Sequence, residues 1–178
     1  MSSVEVVCSP IGDGLTQYTA VAEELEQTEA VAQRLAEGLG DAISKAEVST
    51  ILIGLVGPLG AGKTAFVRGF VEALPGGLSA EIRSPTYALA HPYPTEPPVL
   101  HMDLYRLESV EEFEAIGGPQ LVTTDGMVLI EWVDRPFPVA GSEWIEVRLR
   151  VGADERREIQ IVPHGARAER WLAETFFP

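Results

Sequence analysis

Apolar residues recur at Val21, Leu25, Val31 and Leu35, the spacing of one helix face, and predict an amphipathic helix over 19–39 that closes at Gly38 and Gly40. The stretch 49–56, STILIGLV, is short, apolar and rich in β-branched residues, as expected of a strand buried on both faces. A glycine-rich turn over 57–62 follows, then a helix over 63–74 stopped by Pro75, Gly76 and Gly77. Pro85, Pro92 and Pro94 keep 84–93 extended, and 95–98 reads as a turn. A second buried strand is expected over 99–103 and a third, MVLIEW, over 127–132. Between them Ser109 and Glu112 have the spacing of a capping box, which opens a helix through about Ile116 that ends at Gly117 and Gly118. Apolar and polar positions alternate over 144–151 and 158–162, predicting a half-exposed antiparallel hairpin closed near 152–155. A last helix is expected over 166–176. No internal repeat or low-complexity stretch interrupts this order, so residues 1–178 read as one α/β domain with a mostly parallel core sheet.

Composition narrows the function classes. Hydrophobic residues make up 46% of the chain, enough for a sizeable core, and no apolar run approaches the length needed to span a bilayer. The opening residues lack the basic start and long apolar centre of a signal peptide, and the one cysteine, Cys8, has no internal disulfide partner. Both features predict a cytoplasmic protein. Thirteen basic against 27 acidic residues give a net charge of −14, which disfavours unaided binding of nucleic acid but leaves a role in RNA metabolism through protein partners open.

The chemistry is concentrated in GPLGAGKT, from Gly57 to Thr64, which matches the phosphate-binding loop G-x-x-x-x-G-K-[ST] at every fixed position. It lies after a buried strand and opens a helix, as that motif requires. Gly57, Gly60 and Gly62 permit a tight turn whose backbone N–H groups face phosphate oxygens, and the helix that follows offers them its positive end. Lys63 would reach the β- and γ-phosphates, and Thr64 would give its hydroxyl to Mg²⁺.

Such a site needs a carboxylate at a neighbouring strand end, and Asp103 and Glu131 both follow apolar strands. Thr86, in SPTY, lies where nucleotide-sensing segments sit in such proteins; its hydroxyl is expected either near the γ-phosphate or satisfying its own loop. His91 and His101 have no partner at zinc-site spacing and read as structural or surface groups.

GPLGAGKT, SPTYAL, HMDLYRL and LIEW, in that order, resemble the TsaE family of bacterial P-loop ATPases, which serve the threonylcarbamoyladenosine modification of tRNA. The resemblance spans 28–132. It implies an α/β fold: a P-loop NTPase-like three-layer domain with a mostly parallel core sheet and antiparallel additions. It implies that Leu59, Gly60, Ala61, Gly62, Lys63 and Thr64 bind ATP phosphates, and that Thr64 and Glu131 hold Mg²⁺. Asp103 matches a further acidic active-site position, and Thr28 the N-terminal part that closes over the base. The implied partner is the TsaB–TsaD heterodimer, with tRNA met only indirectly through that complex.

Two departures stand out. Ala65 replaces a second Thr common in the family, leaving its backbone N–H for phosphate, and the stretch 38–50 is longer than usual. ATP hydrolysis is therefore expected, with Lys63 and Mg²⁺ stabilising phosphoryl charge and Asp103 preferred over Glu131 for orienting water. A small-molecule kinase is the first alternative, but its usual arginine-rich lid has no counterpart: Arg83 and Arg106 are isolated, and the Arg156–Arg157 pair reads as part of the hairpin turn. A guanine-reading switch is the second; the chain contains no Asn for the base-reading segment of such proteins.

Overall fold

The structure, a computed structural model, describes residues 4–11, 14–45, 48–79, 81–134 and 143–178. Ala46 and Glu47, inside the long 38–50 stretch, and Met1–Ser3 of the opening residues lie outside the described residues. The described residues form eight strands: β1 (Val6–Pro10), β2 (Thr16–Ala22), β3 (Thr50–Val56), β4 (Ala90–Tyr93), β5 (Val99–Asp103), β6 (Gly126–Glu131), β7 (Trp144–Val151) and β8 (Arg157–His164). Five α-helices accompany them: α1 (Leu25–Ser44), α2 (Lys63–Ala73), α3 (Val110–Ala115), α4 (Gly118–Leu121) and α5 (Ala166–Phe176).

The strands form one sheet in the order β1-β2-β8-β7-β3-β6-β5-β4. Its centre, β7-β3-β6-β5, is parallel throughout, and antiparallel strands extend both sides. Because strand side chains alternate, the apolar runs feed two separate cores. Ile51, Ile53, Leu55, Met127 and Leu129 join residues of α1, α2 and α5 on one face. Leu52, Leu100, Met102, Val128 and Ile130 pack with Leu107 and Phe113 on the other. The result is the three-layer α/β arrangement expected of a P-loop NTPase-like fold.

Two elements differ from the sequence expectation. The helix predicted over 19–39 begins only at Leu25, and 16–22 is strand β2. Tyr18, Ala20 and Ala22 point inward while Val21 is exposed, a period of two that antiparallel pairing with β8 satisfies. Glu24 and Gln27 then form a reciprocal capping box that starts α1. Gly38 and Gly40 lie inside that helix rather than at its end. A Cβ on Gly38 would lie 2.1 Å from Thr175 Oγ1, so this glycine allows α1 to lie close against α5.

The predicted hairpin exists as β7 and β8, with Arg148, Glu158 and Gln160 half-buried and Arg150 exposed on its outward positions. β7 pairs in parallel with β3, and Ile145, Val147 and Leu149 have no exposed surface. Alternation identified the strands and their buried face, but not the parallel partner of β7.

Tyr18 on β2 is 2% exposed and packs on Phe176 of α5, ring centroids 5.3 Å apart. Burial, aided by the charges of Glu169 and Cys8, pushes its hydroxyl up from 10.0 to about 12. The unfolded chain loses this proton first, so the stabilisation is complete below pH 10 and lost as pH rises toward about 12. Unfolding free energy is expected to fall by on the order of 2 kcal/mol across that window, and Tyr18→Phe should flatten this alkaline limb. Denaturant melts at a series of pH values check it; equal alkaline slopes for both proteins would refute it.

Candidate nucleotide-binding site

β3 leads directly into the loop 57–62, whose shape depends on what lies beside it. A Cβ on Gly57 would stand 2.4 Å from the Leu149 carbonyl oxygen of β7, so only glycine lets the chain pass there. Ala61 N–H donates to Pro58 O at 3.2 Å and closes the turn. Gly62, at φ 105°, caps α2 without a side-chain hydrogen bond, leaving the first helix amides directed at the loop.

Lys63 is only 4% exposed. Its Nζ donates to Gly57 O at 2.7 Å and Pro58 O at 3.0 Å, and lies 3.8 Å from the ring centroid of Trp132. Burial lowers the ammonium pKa from its ordinary range, opposed by the fields of Glu131, Asp103 and Asp134.

Parallel pairing of β5 with β6 places Asp103 opposite Glu131. Thr64 Oγ1 donates to Glu131 Oε1 at 2.9 Å, and His101 Nε2 lies 3.0 Å from the same oxygen. Asp103 Oδ2 accepts from Ser84 Oγ and from Thr86 Oγ1, the latter at 2.6 Å, while Oδ1 accepts from Tyr105 N–H at 2.9 Å. Asp103 therefore holds the SPTY segment against the sheet end.

These groups enclose an open cleft of about 420 Å³. Leu59, Gly60, Gly62, Lys63, Thr64, Ala65, Thr86, Asp103 and Glu131 line it, as the sequence reading places them together. Gly57 and Ala61 shape the loop from beneath and do not line the cleft. Thr28 is not part of its wall either: it is fully buried on α1, its Oγ1 without a hydrogen-bond partner, and Leu25 one turn earlier faces the cleft. Trp132, Tyr105, Arg68 and Arg157 also line the cleft; Tyr105 and Trp132 lie within HMDLYRL and LIEW, whereas Arg68 and Arg157 carry no such sequence signal. Arg157 reads from sequence as part of a hairpin turn; it is instead the first residue of β8, and a Cβ on Gly62 would stand 3.6 Å from its Nε. That Nε is buried with no partner.

His101 is structural rather than a surface group, the first of its two sequence readings: it is fully buried against Glu131. His91 is exposed, as a surface group would be.

No group of three or more His, Cys, Asp or Glu side chains gathers as a metal cage among the described residues. Magnesium does not need one. It keeps several waters and binds through one or two carboxylates plus substrate phosphates, and the hydroxyl of Thr64 beside the carboxylate of Glu131 is a hard-oxygen pair of that kind. The residues fit the ion.

A parallel sheet, a glycine loop opening a helix, and a lysine, threonine and carboxylate converging at that loop define a P-loop NTPase-like protein. The family model described as "Threonylcarbamoyl adenosine biosynthesis protein TsaE" matches residues 22–159, and the chain belongs to the TsaE family. Among its relatives, the tRNA threonylcarbamoyladenosine biosynthesis protein TsaE of Treponema pallidum is 41% identical over 107 residues, 60% of this chain and 78% of that protein. The Aquifex aeolicus protein of the same name is 31% identical over 140 residues, 78% of this chain and 94% of its own. A crystal structure of YdiB from Bacillus subtilis matches 98% of this chain and 97% of that one with a TM-score of 0.68 at 24% identity, and so shows the same fold. No helix among the described residues is long and apolar enough to cross a membrane.

Proposed function

We propose that this chain, as one domain over 1–178, binds ATP with Mg²⁺ and hydrolyses it in the service of tRNA threonylcarbamoyladenosine formation in the cytoplasm. The observation that carries the chemical part is the convergence of Thr64 and Glu131 at 2.9 Å beside the amide-lined start of α2, with Asp103 next in register. The relatives' names support the biological part.

In this reading the backbone N–H groups from Leu59 to Ala65 bind phosphate oxygens, and the Lys63 ammonium leaves the Gly57 and Pro58 carbonyls to meet the β- and γ-phosphates. Thr64 and Glu131 hold the metal, which supplies charge neutralisation on the phosphoryl oxygens. Asp103 orients the attacking water from its Oδ2 side, where Thr86 and Ser84 already converge. Trp132 and Tyr105, 5.1 Å apart, form an apolar wall that limits water at the lysine.

Arg157 extends this set. Its partnerless Nε on the cleft wall is matched to an anionic ligand, and Arg157→Ala is expected to weaken nucleotide binding about tenfold, with a smaller salt dependence. Titration of ATP through tryptophan fluorescence at two salt concentrations checks this; unchanged affinity at both would remove Arg157 from the site.

The partner part is tested separately. Association with the TsaB–TsaD heterodimer is expected to depend on nucleotide, and a pull-down with and without ATP reads it. Absence of capture in both lanes would overturn the partner assignment and leave the ATP site standing; equal capture in both would keep the partner and overturn the nucleotide dependence.

A further inference from the structure

The cleft rests on one buried ionisable group that phosphate and metal binding do not touch. His101 is fully buried on β5. It lies two residues before Asp103 on the same face, so its ring reaches diagonally under Glu131 of β6. Its Nε2 is 3.0 Å from Glu131 Oε1, and its Nδ1 is buried with no partner. Tyr93 of β4 lies over the ring, centroids 6.5 Å apart and planes 22° from parallel.

This arrangement has a direction. A carboxylate oxygen only accepts, so the imidazole carries its proton on Nε2 and donates to Glu131; a proton on the partnerless Nδ1 would be buried unsatisfied. The bonds to Glu131 from His101 and from Thr64 both fall on Oε1. One oxygen is fixed from below by the imidazole and from the side by the hydroxyl, and the carboxyl plane can then turn only at a cost. A side chain that held this pocket by packing alone would need no ring nitrogen; burying one with half its polar capacity unused costs free energy unless the remaining bond matters.

We propose that His101 is a positioning residue for the metal site: it acts through Glu131, presetting the carboxylate for the divalent cation that accompanies nucleotide. The inference rests on the nucleotide-site reading above and goes beyond it by assigning the group that orders the site before ligand arrives. It follows the general behaviour of hydrogen bonds to metal-binding carboxylates, whose loss typically costs one to two decades of metal affinity.

The test compares ATP affinity with and without Mg²⁺, by calorimetry on the full chain, for wild type, His101→Leu, His101→Gln and His101→Asn. Wild type is expected to gain affinity when Mg²⁺ is present. His101→Leu, which fills the space without a donor, should lose about tenfold of that gain while its metal-free affinity stays as in wild type. His101→Gln carries an amide N–H near the position of Nε2 and should recover most of the gain; His101→Asn, too short to reach Glu131, should not. Thermal melts separate folding from positioning: if His101→Leu is unfolded, the contrast between His101→Gln and His101→Asn decides. A full Mg²⁺ gain in His101→Leu, or equal losses in the Gln and Asn variants, overturns the proposal and leaves the nucleotide site intact. Absence of ATP binding by wild type in both buffers would instead overturn the nucleotide-site reading, and this inference with it.

Discussion

Lys63→Ala is expected to lower Mg·ATP affinity by about 100-fold or more and to bring hydrolysis to background. The reasoning starts from burial. The ammonium is 4% exposed and already held by two loop carbonyls and the face of Trp132, so the protein has taken it out of water before any ligand arrives. In such a setting the attraction of a cation for phosphate is far stronger than in bulk solvent. Removing it leaves Glu131 and Asp103 facing a triphosphate without the cation held at the loop, so repulsion there is no longer offset. Each decade of rate or affinity corresponds to about 1.4 kcal/mol, and a loss of two to three decades is the size found for single preorganised donors. Lys63→Arg should not restore function, because the planar guanidinium is too large for this enclosed position. Calorimetry with ATP and Mg²⁺, alongside a thermal melt to confirm the fold, gives the answer. Wild-type affinity in a folded Lys63→Ala protein would end the nucleotide-site reading.

Glu131→Ala and Asp103→Ala should both impair hydrolysis, but in different ways. Glu131 shares a hydrogen bond with Thr64, so its loss should remove most of the Mg²⁺ dependence of binding and reduce turnover about 100-fold or more. Asp103 makes no contact with Thr64; its oxygens hold Ser84, Thr86 and the backbone of Tyr105. Its loss should leave Mg·ATP affinity within about threefold of wild type while turnover falls about 10- to 100-fold, the split expected when a group acts only in the transition state. Single-turnover rates in the presence of TsaB and TsaD, measured beside binding constants, distinguish the two. Normal hydrolysis by Asp103→Ala in that assembly would remove Asp103 from the water-orienting role. A loss of binding equal to that of Glu131→Ala would make it a second metal-site carboxylate.

Much of the site was legible because its chemistry is local. The loop from Gly57 to Thr64 is eight consecutive residues, and the requirement for glycines, a lysine and a hydroxyl is met within one turn and the helix it opens. Asp103 and Glu131 could be found because each ends an apolar strand, a position visible in one dimension. The roles of Arg157, Trp132 and His101 could not, although His101 and Trp132 lie within HMDLYRL and LIEW. Each depends on a neighbour distant in sequence: Arg157 on β8 beside Gly62, Trp132 over Lys63, His101 beneath Glu131. Thr28 shows the opposite failure. A resemblance placed it at the base, whereas helix periodicity turns it into the core and brings Leu25 to the cleft.

The chain's hydrophobic pattern by itself determined which segments are strands and helices in the centre of the fold, since β3, β5 and β6 are buried on both faces and their apolar runs leave no other solution. It determined the phosphate loop as well, because that chemistry closes over a few bonds. What it left undecided was pairing. Tertiary structure alone set β7 beside β3, made 16–22 a strand by giving it β8 to bond with, and brought His101 under a carboxylate thirty residues away. Hydrogen-bond partners between strands are chosen among the whole set of competing edges, and that competition is settled by the packed sheet rather than by any single segment.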